Sequence, residues 1–407
     1  MLPFKTPSPR LAIALFFILK GFTLGNWIPR IPGMVERLEV NRGELGIIMF
    51  TGALGCLVSF GVAAKLIRSR GSATTAWLFA CTYLLLVPAV AIAPNPLLFA
   101  AGMVLMGFTN GIYDVAMSTQ GGVVERHIRK PLFSSLYGYF SLGALLGSVT
   151  GGLAAQAGVG MGLQFGAITL AGVPILTWMR TGLLADEKPT PARLRARRRF
   201  ALSLPPRALW PLGAMIFCVA IGEEATNNWS ALYLRQDLGA SAGVGALVYT
   251  FFSITTLAGR LAGDAVISRV GVERVLRIGS LVAAAGIGGG ILINQPWSVL
   301  AGFAIVGAGV SVMVPIAYRA AGNIPGITPG DAVAGVATLG YMGFLLGPPL
   351  IGFLADLVSL RVALGLVAVV LLGIQLLVRH LPSERASGAT PEPLERPLPL
   401  ETREAVA

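Results

Sequence analysis

The chain has 407 residues, of which 55% are hydrophobic and only 12% charged, so it is too apolar for a soluble domain whose surface must be wetted. Its formal net charge of +12 does not indicate nucleic-acid binding, because the basic residues lie between apolar runs and form no single stripe. Composition therefore predicts a protein whose solvent is the lipid bilayer.

Apolar runs that could cross a membrane recur twelve times along the chain. About 20 apolar residues in a helix cross the hydrocarbon core. The runs lie near 11–31, 44–66, 73–93, 97–120, 132–155, 161–184, 209–234, 242–266, 272–294, 296–320, 332–356 and 360–381. The first is interrupted by Lys20 and lacks a small-residue cleavage site, so we expect a retained span and no signal peptide. The sequence predicts an all-α polytopic membrane protein.

The longest internal hydrophilic stretch, 185–208, divides the spans into two sets of six, 1–184 and 209–381. It is rich in Arg and Pro, and we expect a linker lying on an anionic inner leaflet. The tail 382–407 has few aromatic residues and is predicted to be disordered.

Basic residues are unevenly distributed between the two sides of the predicted membrane. The side that carries the linker also carries most of the Lys and Arg in short loops, which is typical of the cytoplasmic side. We therefore expect both termini to be cytoplasmic. The other side has only Arg30, Arg37, Arg42, Arg235 and Arg361.

An internal repeat relates the two sets of spans. Gly143 and Gly147 recur 200 residues later as Gly343 and Gly347, and the pair Asn26-Trp27 has an echo in Asn228-Trp229. Two halves in the same orientation indicate a parallel duplication about an axis along the membrane normal. The sequence thus predicts two parallel-repeat six-helix bundles with a solute site between them near the midplane.

The loop that follows the eighth span resembles a motif of the major facilitator superfamily. It reads Gly259-Arg260-Leu-Ala-Gly263-Asp264, followed by Arg269. In that superfamily the Asp and Arg clamp neighbouring helix ends, so the resemblance implies gating roles for Arg260, Asp264 and Arg269. The equivalent first-half loop lacks the Asp.

The fifth span is similar to a glycine motif of the same superfamily that is often associated with exporters. Ser148 stands where a Pro is usual. The physical content of the motif is a small-residue spacing that lets helices approach closely, so it does not fix the direction of transport.

Other runs resemble a largely uncharacterised bacterial subgroup related to fucose permease. They include Asn26-Trp27-Ile-Pro29-Arg30, Asp114-Val-Ala-Met117 and Gly340-Tyr341. This resemblance implies a protein of the bacterial inner membrane that takes up a sugar or similar small polar solute together with protons. A fourth-helix carboxylate would handle the proton, and Asp114 matches it. Ser118 replaces a usual Asn, so the identity of the solute does not transfer.

The ionisable residues assigned to the hydrocarbon region are Lys20, Asp114, Glu223 and Glu224. Such a side chain in hydrocarbon costs at least about 2.5 kcal/mol, so it normally faces a cavity or a partner. Lys20 and Asp114 are placed to pair across the first and fourth spans, and we expect proton coupling to involve them. The alternative is a static ion pair that fixes packing.

Glu223 shares a helical face with polar residues, whereas Glu224 is rotated by about 100°. We expect only Glu223 to face the cavity and to contribute to proton coupling. The alternative is that one glutamate caps or pairs locally with Arg235.

Candidates for solute binding are polar or aromatic residues on the faces that carry these charges. Amides and hydroxyls hydrogen-bond to hydroxylated or zwitterionic solutes, and aromatic rings stack on apolar sugar faces. An alternative for the tryptophans, including Trp229, is an aromatic belt at the membrane interface. The candidates are Trp27, Asn110, Ser118, Asn227, Tyr137 and Tyr341.

The sequence contains no Walker motif, HExxH motif or nucleophile elbow, so we expect neither an enzyme nor a bound cofactor or metal. Three hypotheses stand: proton-coupled uptake of a small polar solute, export of a drug or metabolite, and a transporter-like receptor. The expected partners are the solute, protons and lipid, with no nucleic acid, and the expected state is a monomer.

Overall fold

The computed structural model describes residues 6–129, 132–186, 205–324, 327 and 329–379. Within these residues twelve helical spans are long and apolar enough to cross a membrane, which confirms the all-α class. The first six are α1 (Pro9–Leu38), α2 (Arg42–Arg70), α3 (Ser72–Ala91), α4 (Pro96–Ile128), α5 (Ser135–Gln156) and α6 (Met161–Gly182). The second six are α7 (Arg207–Asp237), α8 (Ala242–Gly263), α9 (Val272–Ile293), α10 (Pro296–Gly322), α11 (Ala332–Leu357) and α12 (Leu360–Val378).

The predicted disordered tail lies outside the described residues, and so does most of the predicted linker, from 187 to 204. We call the end of the bundle where α6 ends and α7 begins the linker face. The other end, where α1 ends and α2 begins, is the opposite face.

The two sets of six helices repeat the same pairings. Helix α1 packs on α5 as α7 packs on α11, α2 packs on α4 as α8 packs on α10, and α3 packs on α6 as α9 packs on α12. The two sets meet where α2 packs on α11 and α5 packs on α8. This arrangement is typical of a parallel duplication.

Glycines set how closely the repeated pairs approach. A Cβ at Gly147 in α5 would lie 2.2 Å from the carbonyl oxygen of Phe22 in α1. A Cβ at Gly343 in α11 would lie 2.6 Å from the carbonyl oxygen of Phe217 in α7. No side chain fits at either position without moving the backbone, so these glycines hold the helices in direct contact.

Helix α1 continues beyond the predicted end near residue 31, reaching Leu38 through a short 3-10 segment, Ile28–Arg30. Pro29 is the second residue of that segment, at a position where the missing N–H is tolerated. Arg30, which the charge pattern placed in a loop, is buried instead. Its Nε donates to Gln164 Oε1 at 2.5 Å and its Nη2 to the carbonyl oxygen of Val159 at 2.7 Å. These acceptors on the α6 side satisfy the guanidinium inside the bundle.

Helix α7 is not a regular α-helix along its second half. Two wider π-helical segments, Ala225–Trp229 and Tyr233–Asp237, flank a single turn of α-helix. Such segments are rare and frequently lie at functional sites. In α7 the first one follows directly after the two intramembrane glutamates.

Candidate functional site

A cavity of about 990 Å³ lies between the two sets of six helices. Residues of α1, α2, α4 and α5 line one side, and residues of α7, α8 and α11 line the other. Near the linker face its lining includes Tyr137, whose side chain is 50% exposed, and the exposed Arg260. The cavity is therefore open at the linker face.

Ion pairs between the two halves close the cavity at the opposite face. Arg42 at the start of α2 bonds to Asp237 at the end of α7, with 2.6 Å between Nη2 and Oδ2. Arg235 Nε lies 2.7 Å from Glu36 Oε1 in α1. Arg235 is thus committed to Glu36, so the alternative that it pairs with an α7 glutamate is wrong.

The same face carries two matching helix caps. The backbone N–H of Gly43 in α2 donates to Asp356 Oδ2 in α11 at 2.7 Å. The backbone N–H of Gly243 in α8 donates to Gln156 Oε1 in α5 at 2.9 Å. The two donors, Gly43 and Gly243, are 200 residues apart, and so are the two acceptors, Gln156 and Asp356. The duplication has therefore kept the same contact in both halves. Each contact joins one half to the other.

Ser148, the residue that departs from the glycine motif, also connects the halves. It is fully buried, its hydroxyl donates to the carbonyl oxygen of Ala246 in α8 at 3.0 Å, and it lies 2.7 Å from Thr250 Oγ1. A proline could make neither of these contacts through its side chain. The substitution therefore adds a polar contact between α5 and α8.

Lys20 and Asp114 form the predicted ion pair across α1 and α4, on the cavity wall. The side chain of Lys20 is only 10% exposed, whereas that of Asp114 is 42% exposed. Lys20 Nζ also lies 5.5 Å from the ring centre of Tyr113, and Asn110 Nδ2 lies 3.5 Å from Asp114 Oδ2. The ammonium is thus fixed in the protein while the carboxylate reaches the cavity.

The predicted solute-binding candidates all line this cavity. Trp27 is 6% exposed and stacks on Phe99, with 6.4 Å between ring centres, and Trp229 is fully buried. The alternative of an aromatic belt at the membrane interface is therefore wrong for both tryptophans. The candidates are Trp27, Asn110, Ser118, Asn227, Tyr137 and Tyr341.

Both glutamates of α7 line the cavity, so the expectation that only Glu223 faces it is wrong. Consecutive helical side chains diverge by about 100°, and the cavity wall is wide enough to receive both. Asn227 and Asn228, one turn further along, line it as well. Asn228 donates a hydrogen bond to Glu224.

The predicted gating residues lie at the linker-face end of the helix that contains α8, which continues to Val270. Arg260 lines the cavity near its mouth, and Arg269 is exposed. The side chain of Asp264 lies outside the described part of the chain.

Sequence signals also missed several lining residues. Met49, Met103 and Met106 line the part of the cavity away from its mouth, and Cys56 lines it as well. None of them carries a charge, so nothing in an apolar run distinguishes them from packing residues.

Comparisons with known proteins agree with this architecture. The family model of the Major Facilitator Superfamily matches residues 212–406. An uncharacterised transporter of Sinorhizobium fredii is 31% identical over 88% of this chain and 94% of its own length. An uncharacterised MFS-type transporter of Yersinia pestis is 31% identical over 90% of this chain and 94% of its own length.

Among solved structures, a D-xylose-proton symporter is similar in fold, with a TM-score of 0.71, 16% identity, and coverage of 91% of this chain and 98% of the other. The helical repeat, the cavity between its halves and the two relatives lead to one conclusion. This chain belongs to the major facilitator superfamily and is a multi-pass membrane transporter.

Proposed function

We propose that the protein couples the uptake of a small polar, sugar-like solute to the movement of protons. The observation that carries this proposal is the Lys20–Asp114 ion pair on the wall of the cavity between the halves. An intramembrane charge pair that lines a cavity marks a solute or proton pathway. The resemblance to the fucose-permease group supports the direction and the type of solute.

Asp114 is the proposed protonation site because its carboxylate reaches the cavity, where water delivers protons. Protonation removes its negative charge and with it the attraction that holds the Lys20 ammonium. The ammonium remains 5.5 Å from the Tyr113 ring centre and is otherwise buried, so α1 and α4 then favour a different arrangement. Proton binding in this way biases the equilibrium between two states of the transporter.

The linker face is the proposed cytoplasmic face of a bacterial inner membrane. Basic residues are concentrated there, and cytoplasmic loops retain such residues. The structure then corresponds to an inward-open state. The basic residues of that face include Arg68, Arg70, Arg126, Arg274 and Arg277.

The lining of the cavity supports a sugar-like solute, and its volume leaves room for one. Its 990 Å³ lies at the upper end of the range of small-molecule sites. Tyr341 offers an aromatic ring, Asn110 and Asn227 offer amides, and Trp27 borders the cavity while stacked on Phe99. Aromatic rings stack on the apolar faces of sugars, and amides hydrogen-bond to hydroxyls. This lining therefore fits such a solute.

The first step in testing the proposal is to identify the solute. Purified protein is screened by thermal shift against sugars, sugar acids, amino acids and nucleosides. A ligand at a hundredfold excess over its Kd stabilises the protein by about 2.7 kcal/mol.

The second step uses the identified solute and the variant Asp114→Asn in proteoliposomes with a pH gradient. We expect the variant to lose uphill accumulation and to retain counterflow exchange, because the solute site remains while the protonation site is lost. Glu273→Gln is the matched control, since Glu273 pairs with Arg277 outside the cavity. Undiminished uphill accumulation by Asp114→Asn would refute the assignment.

A further inference from the structure

The two walls of the cavity differ in how their charges are balanced. On the α1–α4 side, Asp114 is neutralised by Lys20. On the α7 side stand Glu223 and Glu224, and among the described residues no Lys or Arg nitrogen lies within 4.0 Å of either carboxylate. The other cation in the lining, Arg260, lies near the mouth. We call the α7 side, made of Glu223, Glu224, Asn227 and Asn228, the carboxylate wall.

Hydrogen-bond acceptors without donors accompany the carboxylate wall. Asn227 Oδ1 is buried and has no hydrogen-bond partner. Thr256 in α8 also lines the cavity, is 6% exposed, and its Oγ1 has no partner. A buried polar atom left unpaired costs about 1 to 3 kcal/mol. Both oxygens have almost no accessible surface, so a ligand that brings several N–H donors would remove that cost once the side chain rotates toward the cavity.

Aromatic rings complete the surroundings of the carboxylate wall. Tyr249 and Phe252 in α8 line the same cavity and stack on each other, with 6.2 Å between ring centres and 26° between ring planes. Ring faces attract cations, by about 0.5 to 2 kcal/mol according to how far the cation is desolvated. Carboxylates, amide oxygen and ring faces are each features that bind an ammonium group.

We infer that the carboxylate wall and the facing part of α8 form a binding site for a primary ammonium group carried by the solute. This inference rests on the proposed transport function and narrows its solute class to polar amines, for example an amino sugar rather than a neutral one. The ammonium supplies three N–H donors and the positive charge that the wall lacks. Glu223 is its principal partner, because Glu224 already accepts from Asn228.

A neutral polyol fits the wall less well than an amine. Its hydroxyls can donate to Asn227 and Thr256, but they bring no positive charge to Glu224, and they add none to the field of Arg260 that acts on Glu223. An ion that is taken out of water without a partner is costly. The amine satisfies the acceptors and the charge at once.

The test is a binding measurement by isothermal titration on the purified full-length protein. The probes are glucosamine, ethanolamine and tyramine, each compared with its N-acetyl derivative, which keeps the rest of the molecule and removes the positive charge. We expect at least one amine to bind about tenfold more tightly than its derivative, which corresponds to about 1.4 kcal/mol.

Three variants test whether the preference for the amine over its N-acetyl derivative depends on the carboxylate wall. Glu223→Gln should abolish the preference for the amine, while Glu223→Asp, which keeps the charge, should retain most of it. Glu273→Gln, outside the cavity, should leave it unchanged. The inference is overturned if no amine binds, if the N-acetyl derivatives bind equally well, or if the preference survives in a folded Glu223→Gln variant.

Uptake assays separate failure of this inference from failure of the proposed function. If vesicles with a pH gradient do not accumulate an amine that the protein binds through Glu223, proton-coupled uptake is wrong and the ammonium site stands. If they accumulate a neutral sugar and the protein binds no amine, the ammonium site is wrong and the coupled uptake stands.

Discussion

Removing either partner of the Lys20–Asp114 pair should destabilise the protein, and the two single substitutions should differ in cost. In a fully buried ion pair, loss of one partner costs about 3 to 5 kcal/mol, since the other charge is left uncompensated. For exposed pairs the cost is about 0 to 1 kcal/mol. With side-chain exposures of 10% for Lys20 and 42% for Asp114, this pair lies between those limits.

The unequal exposure decides which variant suffers more. Asp114→Asn leaves a buried ammonium, helped only by the ring of Tyr113 and the new amide, so we expect a loss of about 2 to 3 kcal/mol. Lys20→Met leaves a carboxylate that water in the cavity can solvate, so we expect a loss of about 1 kcal/mol. The double variant should recover much of the larger loss.

The assay is a double-mutant cycle on thermal or denaturant unfolding of the detergent-solubilised protein. Residues in contact typically give an interaction energy of about 0.5 to 3 kcal/mol in such a cycle. Additive effects would show that the two side chains do not stabilise each other, and Lys20 would then be assigned to an anionic group of the solute. A larger loss for Lys20→Met than for Asp114→Asn would refute the argument from exposure.

Two further substitutions test how the helices are held together. Ser148→Ala removes hydrogen bonds between α5 and α8 that are each worth about 1 kcal/mol. Weaker closure should increase the labelling of Cys56, in the cavity, by a maleimide applied at the opposite face. Labelling equal to that of the native protein would contradict this expectation. Gly147→Ala should lower the melting temperature by overpacking, at about 1 to 3 kcal/mol, because its Cβ would meet the Phe22 carbonyl oxygen. Gly138→Ala in the same helix, where no atom lies within 4 Å, is the control, and an equal loss in both would refute the packing argument.

The number of spans and the Lys20–Asp114 pair could be predicted from the sequence, because both depend on local signals. A run of about 20 apolar residues has one low-energy arrangement in a bilayer, the helix. A lone charge within such a run needs a partner, and the chain has few to offer. Lys20 and Asp114 were therefore identifiable without any knowledge of how the helices pack.

Features that depend on a second helix could not be read from a single segment. The sequence alone indicates a loop position for Arg30, because its buried partner Gln164 lies on another helix. The cavity-lining position of Glu224 depends on the width of the cavity, which helical periodicity does not contain. For Asp356 and Gln156 a signal does exist, since both lie 200 residues apart like the glycines that they cap, but it is visible only once the repeat is aligned.

The two caps at the opposite face explain how a firm closure can also be reversible. The N–H groups at a helix start have no partner within the helix, and they bond equally well to a side chain or to water. When the halves part, Gly43 and Gly243 exchange Asp356 and Gln156 for water without breaking the helices. The caps differ in charge, and an anion at a helix start gains about 0.3 to 1 kcal/mol that a neutral amide does not. The cap at Gly43 is therefore firmer than the cap at Gly243, and the Ser148 hydrogen bonds between α5 and α8 offset this difference.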